Sequence, residues 1–174
     1  MHQRKKNPKL PESPSKTGLL IPLFYRKLKL KDDLYYSGKK KRHTQKGQVL
    51  ADQISGRIIA TAFCAGKRHD LALYRASQTA ILSRIQTVAD SGYQGIQKDH
   101  NNSETPRKKS EHHPLSVDDK KNNRALAQKR MGCEHIMGRL KVFRILAERY
   151  RNRRKRFGLR FNLISAIHNM EYCK

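Results

Sequence analysis

Short apolar runs and helical repeats alternate along the middle of the chain. Two apolar, partly β-branched runs at residues 48–52 and 57–64 predict two strands, and the serine and glycine between them are typical of a hairpin turn. A helix is predicted to begin near Asp70, which we expect to act as its N-cap, and another strand is predicted over residues 85–89. This order of strands and helices indicates an α/β fold.

The last third of the chain has the spacing of amphipathic helices. A long helix is predicted over residues 124–147 and a final helix over residues 159–170. The apolar stripe of the long helix consists of Leu126, Cys133, Ile136, Met137, Leu140 and Phe143. The polar residues 97–122 are predicted to form a loop or insertion, and the proline-containing residues 1–17 to be disordered.

An apolar run at residues 18–25 precedes the regular pattern. Its composition resembles a strand, yet no segment close to it in sequence is an obvious partner. The run is too short to span a membrane, which takes about 20 apolar residues. Because no small-residue cleavage site follows the run, a signal peptide is not predicted, and we expect a cytoplasmic protein without a membrane partner.

The excess of positive charge is the strongest functional signal in the composition. Lys and Arg number 39 against 14 Asp and Glu, which gives a formal net charge of +25. A small domain needs a net charge of only about 2–8 for solubility, so the excess indicates a polyanionic partner, usually DNA or RNA. A ribosome-bound protein or a basic disordered tail would carry similar charge, and composition leaves both alternatives open.

The cysteines and histidines do not have the spacing of a metal site. Cys64, Cys133 and Cys173 are odd in number, widely spaced and without a CxxC pair, which predicts reduced thiols rather than a disulfide framework or a zinc site. No two histidines are spaced i,i+4, so a helical histidine metal site is not predicted either.

Two carboxylates have settings that suit metal-dependent phosphoryl chemistry. Asp90 follows a predicted strand, and ligands of open α/β sheets bind at such strand ends. Glu134 lies at the edge of the apolar stripe, with Gly138 one turn further on and Arg130 and Lys141 on the same face. Mg²⁺ is held by one or two carboxylates together with substrate phosphates. We therefore predict that Asp90 and Glu134 hold a divalent metal ion, although each alone is also compatible with an ordinary solvated side chain.

Five segments resemble the DDE transposases of bacterial insertion sequences, in the order in which that family has them. They are YYSGKKKRHT from Tyr35, GKRHD from Gly66, ADSGYQG from Ala89, CEHIMGRLK from Cys133 and RYRNRRKRFGLR from Arg149. Each segment alone is weak evidence, but taken together the segments are specific, and the resemblance as a whole runs from about residue 35 to residue 171. The resemblance implies a ribonuclease-H-like mixed sheet flanked by helices, and a catalytic site of three acidic ligands for Mg²⁺ or Mn²⁺.

The resemblance assigns two of these three ligands. The family's second Asp falls on Asp90 and its terminal Glu on Glu134, whereas its first Asp should lie on a strand shortly before Tyr35, where this sequence has no suitable carboxylate. We therefore expect residues 35–174 to be a fragment of the catalytic domain, with its first strand missing or replaced. Residues 1–34 are expected to be a disordered or non-family segment, and strand cleavage is expected to be impaired.

A shifted reading frame or an alternative start would explain the abrupt change from unmatched to matched sequence near Asp33. This hypothesis predicts that one of the other two frames of the gene encodes an Asp-bearing segment of the family type. The family's N-terminal helical DNA-binding region has no counterpart in the sequence either.

The resemblance also implies DNA as the partner, both as transposon ends and as target, with a location at the bacterial nucleoid. Whether the chain forms a homo-oligomer is left open. The basic residues predicted to contact phosphates are Lys39, Lys40, Lys41, Arg42, Arg130, Arg139, Lys141, Arg149, Arg151, Arg153, Arg154, Lys155 and Arg156. Such contacts position a protein on DNA and carry little sequence information.

Two other functions remain under this interpretation. The chain could be a non-catalytic DNA-binding remnant or an inhibitor of a full-length transposase, which would bind DNA without cutting it. It could also be a ribosome-associated basic protein, in which case the acidic motifs would be coincidental and rRNA would be preferred over DNA.

Overall fold

The structure is a computed structural model that describes residues 17–26, 36–37, 41–110, 114–148 and 156–172. Six strands form one mixed sheet: β1 (Thr17–Arg26), β2 (Tyr36–Ser37), β3 (Arg42–Asp52), β4 (Ile58–Ala65), β5 (Gln86–Ala89) and β6 (Ser103–Glu104). The strand order is β2-β3-β1-β5-β6, and β4 pairs with β3. Five helices complete the fold: α1 (Asp70–Ser77), α2 (Val117–Lys129), α3 (Met131–Val142), α4 (Arg144–Ala147) and α5 (Phe157–Tyr172). The α/β class is therefore confirmed.

Strand β1 lies in the middle of the sheet, where the sequence predicted a missing or replaced strand. It pairs antiparallel with β3 along its length and parallel with β5 from Thr17 opposite Gln86 to Leu20 opposite Ala89. An apolar run suits a strand whose two faces are both covered by helices, which explains why residues expected to be disordered or unpartnered form the central strand. Pro22 lies beyond the last pair with β5, where β1 has a neighbour on one side only and a missing N–H donor is tolerated.

Helices cover both faces of this sheet, and each face has its own core. On one face the buried side chains are Leu20, Leu50, Tyr74, Ala89, Tyr93 and Ile96. On the other face Val49, Ala51, Ile58 and Val88 of the sheet pack against α3, α4 and α5 through Cys133, Ile136, Leu140, Leu146, Phe157, Phe161 and Ile164. Alternate strand residues therefore supply both layers, which fixes the register of the sheet.

Helix α5 also protects an edge of the sheet. The Asn169 amide accepts a hydrogen bond from the Ile58 N–H and donates one to the Ile58 carbonyl oxygen, both at 2.8 Å. The His168 ring lies 3.1 Å from the Gly56 carbonyl oxygen through Nε2. These contacts occupy backbone groups of Ile58, the first residue of β4, and of Gly56 in the preceding turn, which would otherwise be open to pairing with another chain.

Of the two helices predicted in the last third of the chain, the long one differs from the structure. The single helix predicted over residues 124–147 is three helices, α2, α3 and α4, with breaks at Arg130 and Phe143; the latter has an extended backbone. Helix α2 begins inside the predicted loop, because Ser116 and Asp119 form a capping box that satisfies its first N–H groups. The final helix is confirmed as α5.

Asp70 is not the N-cap of α1, contrary to the sequence prediction. The N-cap is His69, and Asp70 is the first residue of the helix. Its carboxylate is instead paired with Lys46 of β3, which explains why it does not turn back to the helix N–H groups. Helix α1 ends at Ser77, because Gln78 adopts a left-handed conformation with φ 50°. Among the described residues no helix is long and apolar enough to cross a membrane.

Candidate metal and nucleic-acid site

Asp90 lies directly after β5, at the carboxyl end of a central strand. Its Oδ1 accepts a hydrogen bond from the Ser91 N–H at 2.6 Å and so caps the short 3₁₀ turn Ser91–Tyr93. The side chain is about one-third exposed, at 31%. The sequence therefore places a partly open carboxylate at a strand end, held in one orientation by its own turn.

Tyr93 anchors the turn that carries Asp90. Its side chain is fully buried, and its hydroxyl lies 3.3 Å from Oε1 of Gln48 in β3. Burial, reinforced by the charges of Asp70 and Asp90, raises the pKa of Tyr93 far above its ordinary value. The phenol therefore stays protonated and donates to Gln48, which connects the turn to the sheet.

A buried ion pair packs against the same turn. Lys46 of β3 lies 2.9 Å from Asp70 of α1, and the two side chains are only 7% and 12% exposed. Lys46 also donates to the Arg68 carbonyl oxygen. The carboxylate of Asp70 fills the space beside Gly92, where a Cβ would lie 2.0 Å from Asp70 Oδ2. Glycine is therefore required at position 92 for close approach rather than for an unusual backbone angle.

Glu134 lies in the first turn of α3, with its side chain exposed. The adjacent thiol of Cys133 is buried, and this burial raises the pKa of Cys133 to about 12, with opposing or supporting contributions from Arg130, Asp90 and Glu134. The start of α3 lies beside the Asp90 end of β5, because Arg130, which directly precedes α3, forms an ion pair with Asp90. A Cβ at Gly138, one turn on, would have no atom within 4 Å of it.

Arg130 forms an ion pair with the candidate site. Its Nη1 lies 3.2 Å from Asp90 Oδ1, and the arginine side chain is 27% exposed. The sequence placed Arg130 among residues that contact DNA phosphates, whereas in this structure its partner is a carboxylate.

The neighbouring strand carries no acid at this level. The parallel register pairs Leu20 with Ala89, so residue 21 of β1 is level with Asp90. None of the ten residues of β1 is Asp or Glu. Within the described ranges no group of three or more His, Cys, Asp or Glu side chains could hold a metal ion. Two carboxylates suit Mg²⁺ or Mn²⁺ only where phosphate oxygens or water complete the coordination.

The predicted phosphate-binding residues are only partly described. Lys41, Lys141 and Arg156 are exposed, and Arg139 is exposed with its guanidinium 4.3 Å from the centre of the Tyr172 ring. Residues 38–40 and 149–155, and with them Lys39, Lys40 and most of the basic run, lie outside the described residues, as does the side chain of Arg42. Arg139 and Lys141 lie on α3, the helix that carries Glu134, and Arg130 directly precedes it.

Sequence reasoning missed the supports of the site. Lys46 belongs to a polar stretch of β3 that also buries Thr44, Gln45 and Gln48, and periodicity gives no reason to expect these side chains inside. The only signal for the Lys46–Asp70 pair was an acidic residue directly after His69, which is equally typical of a helix start.

The comparisons with known proteins agree on one family. Residues 18–169 match the family model described as a DDE superfamily endonuclease. A curated relative from Microchaete diplosiphon, described as a probable transposase for insertion sequence element IS702, is 43% identical over 137 residues. The match covers 79% of this chain and 50% of that relative, so the chain spans about half the length of the relative. The search of solved structures found no match.

The family match includes β1. It begins at residue 18, whereas the sequence resemblance began at Tyr35. The domain boundary predicted at residue 34 stays a prediction, and residues 1–16 and 27–35 lie outside the described residues.

Proposed function

Because the chain belongs to the DDE superfamily of endonucleases, we propose that it is part of a transposase catalytic domain that binds DNA phosphates and holds an incomplete metal site. Asp90 and Glu134 are the two metal ligands in this proposal, and DNA cleavage is impaired because β1 contributes no third carboxylate. The mixed sheet with helices on both faces supports a ribonuclease-H-like assignment of the fold.

The single observation that carries the proposal is the ion pair that joins the start of α3 to the carboxyl end of β5. Asp90 follows β5, Glu134 lies in the first turn of α3, and Arg130 directly before α3 is 3.2 Å from Asp90. Glu134 lies at the start of a helix, where backbone N–H groups and the helix dipole favour a phosphate. A chain with a net charge of +25 attracts the DNA that supplies such phosphates.

Each residue of the site has a part in the proposed activity. A bound Mg²⁺ or Mn²⁺ would activate a water or a 3′-hydroxyl and stabilise charge on the leaving oxygen. Asp90 and Glu134 would hold it, while the Ser91 N–H fixes the orientation of Asp90. Arg139 and Lys141, exposed on the same helix as Glu134, would bind the phosphates on either side of the scissile bond.

A second function is favoured by the sequence of β1. A chain whose strand β1 offers no acid beside Asp90, but whose fold is intact, would bind DNA without cutting it. Such a protein would act as a DNA-binding remnant, or as an inhibitor that occupies element ends. Transposon ends and target DNA as the specific partners, and pairing with a full-length enzyme, belong to this proposal as well.

One experiment separates the two functions. Purified full chain is incubated with supercoiled plasmid and Mg²⁺ or Mn²⁺, and nicking and binding are followed together over a range of salt concentrations. We expect binding with a strong salt dependence and no nicking above background. The triple variant Arg153→Ala, Arg154→Ala, Arg156→Ala should flatten the salt dependence, by a slope of about 0.9 per lost phosphate contact.

Three results would change the proposal. Nicking that disappears in Asp90→Ala would mean that the site is catalytically complete and that a ligand has been overlooked. An unchanged salt slope in the triple variant would remove the basic run from the DNA interface. Preferential binding of rRNA over DNA would overturn the proposal as a whole.

A further inference from the structure

We propose that Arg130 occupies the cation position beside Asp90, so that the Arg130 guanidinium and a divalent metal ion compete for the same carboxylate. This inference rests on the proposed metal site. It goes beyond that site by assigning a second, regulatory role to a residue that the sequence placed on DNA.

The contact itself is close and partly shielded from water. Arg130 Nη1 lies 3.2 Å from Asp90 Oδ1, the same oxygen that accepts the Ser91 N–H, and both side chains are less than one-third exposed. Among the described residues Asp90 is the only carboxylate within ion-pair distance of Arg130. A metal ion on Asp90 would therefore lie a few ångströms from a full positive charge, and like charges at that distance repel strongly.

The pairing of Arg130 with Asp90 is not the one that helix geometry alone would give. Glu134 lies four residues after Arg130, the spacing at which oppositely charged side chains meet on a helix. Arg130 is nevertheless paired with Asp90 of another element. Glu134 is left exposed and without an ion pair among the described residues, so only one of the two candidate ligands is held by an internal cation.

The position of Arg130 allows its side chain to leave without a change in the helices. Its backbone is fixed between α2 and α3: its N–H donates to the Leu126 carbonyl oxygen at 3.0 Å, and its own carbonyl oxygen accepts the Cys133 N–H at 2.8 Å. The guanidinium stands at the end of a long flexible stem on this fixed point. Rotation of the stem is enough to exchange Asp90 for another anion.

The exchange couples metal binding to DNA binding. A guanidinium released from Asp90 is a bidentate partner for a phosphate, so a DNA phosphate that takes Arg130 also frees Asp90. By thermodynamic reciprocity, DNA should then tighten metal binding, and metal should tighten DNA binding by the same factor. Arg130 thereby keeps the carboxylate neutralised until DNA arrives.

The test measures Mn²⁺ affinity in the absence of DNA. Free Mn²⁺ is followed by electron paramagnetic resonance during titration of the full chain, for the unaltered protein and for Arg130→Gln, Arg130→Lys and Arg124→Gln. We expect Arg130→Gln to lower the Mn²⁺ dissociation constant by about tenfold, because it removes a unit charge beside a divalent ion. Arg130→Lys keeps the charge and should stay within about threefold of the unaltered protein.

Arg124→Gln is the matched control. Arg124 is exposed on α2, has no ion pair described, and lies outside the proposed site. The variant changes the net charge of the chain by the same amount, so equal tightening in both variants would overturn the proposal in favour of a general charge effect. Circular dichroism confirms that each variant is folded.

Two further outcomes separate this inference from the proposed function. If Asp90→Asn abolishes Mn²⁺ binding but Arg130→Gln does not tighten it, the metal site stands and the role of Arg130 is wrong. If Asp90→Asn leaves Mn²⁺ binding unchanged, the proposed site itself is wrong, and the competition falls with it. Absence of Mn²⁺ binding in every variant, Arg130→Gln included, also overturns both.

A second measurement follows the coupling directly. Addition of a short DNA duplex should lower the Mn²⁺ dissociation constant of the unaltered chain, and this effect should be lost in Arg130→Gln. Equal coupling in both proteins would mean that Arg130 does not transmit the effect of DNA.

Discussion

The two central strands β1 and β5 run parallel and side by side, yet only β5 is followed by a candidate metal ligand, Asp90. β5 has four residues and is followed by Asp90. The turn after Asp90 is stabilised by the Ser91 N–H bond to Asp90, by the buried Tyr93, and by the close packing of Asp70 against Gly92. β1 has ten residues, pairs with strands on both sides, and carries no carboxylate. The longer strand therefore supplies no carboxylate to the candidate site.

This comparison indicates that the side chains a strand needs for sheet stability and those it needs for a metal site are independent. A sheet requires backbone hydrogen bonds and apolar side chains on its buried faces; β1 pairs with β3 and β5, and its Leu20 is buried. A metal site requires particular side chains at particular positions, and nothing in the sheet's own stability selects for them. A chain can therefore keep a central strand while its metal site remains incomplete.

We expect the greatest loss of stability when the buried Lys46–Asp70 ion pair next to the Asp90 turn is broken. Lys46→Met leaves the carboxylate of Asp70 buried without its cation, and loss of one partner of a buried pair costs about 3–5 kcal/mol. We expect the free energy of unfolding, measured in urea, to fall by that amount. Adding Asp70→Asn to Lys46→Met should recover part of the loss, because no buried charge is then left unpaired.

Lys129→Met is the control for this variant. Its ion pair with Glu104 is about 40% exposed on both sides, at 42% and 37%. Exposed pairs contribute at most about 1 kcal/mol, so this change should be nearly neutral. Equal losses in Lys46→Met and Lys129→Met would mean that the buried pair is not what stabilises the region.

A smaller effect is expected at the glycine in the Asp90 turn. Gly92→Ala introduces a Cβ that would lie 2.0 Å from Asp70 Oδ2, so the turn or the carboxylate must shift. Overpacking of this kind typically costs about 1–3 kcal/mol. We expect a lower melting temperature and, because Asp90 moves with the turn, weaker Mn²⁺ binding.

Gly138→Ala provides the comparison within the same site. No atom lies within 4 Å of a Cβ at this helical position, and alanine is favoured over glycine in a helix by about 1 kcal/mol. The variant should be neutral or stabilised. If Gly138→Ala destabilised the protein as much as Gly92→Ala, the close approach of Asp70 would not explain the glycine at position 92.

The sequence predicted the parts of the fold that rest on local pattern. The hairpin of β3 and β4, the strand β5 and the helix α5 follow from alternation and helical spacing, and the structure confirms each. The start of α2 was missed although its capping box, Ser116 to Asp119, is a local signal. Polar composition outweighed it in the prediction.

Other features could not be predicted because they depend on residues far apart in the chain. The position of β1 depends on pairing with β3 and β5, which begin 16 and 60 residues after β1 ends. Asp70 lies 24 residues after Lys46, and only the packed fold brings the two together. The roles of Asp90 and Glu134 were predicted from their settings in the sequence and from the resemblance, and they stay proposals, while the contact of Arg130 with Asp90 needed the structure.

The last prediction concerns Mn²⁺ affinity after an acid is added to β1, and its expected effect in free energy is the smallest. Residue 21 follows Leu20, whose partner Ala89 immediately precedes Asp90, so Ile21→Asp adds an acid at the level of the candidate site. If the site lacks only this ligand, the Mn²⁺ dissociation constant should fall by about tenfold, which corresponds to about 1.4 kcal/mol. Leu23→Asp adds the same charge two residues further along β1 and should tighten Mn²⁺ binding much less. If both variants bind Mn²⁺ equally more tightly, the effect is one of net charge. If neither variant changes the Mn²⁺ dissociation constant, a carboxylate on β1 does not complete the proposed site. Metal-dependent nicking of plasmid by Ile21→Asp, absent in Ile21→Asn, would be direct evidence that the strand kept its place in the fold while lacking its ligand.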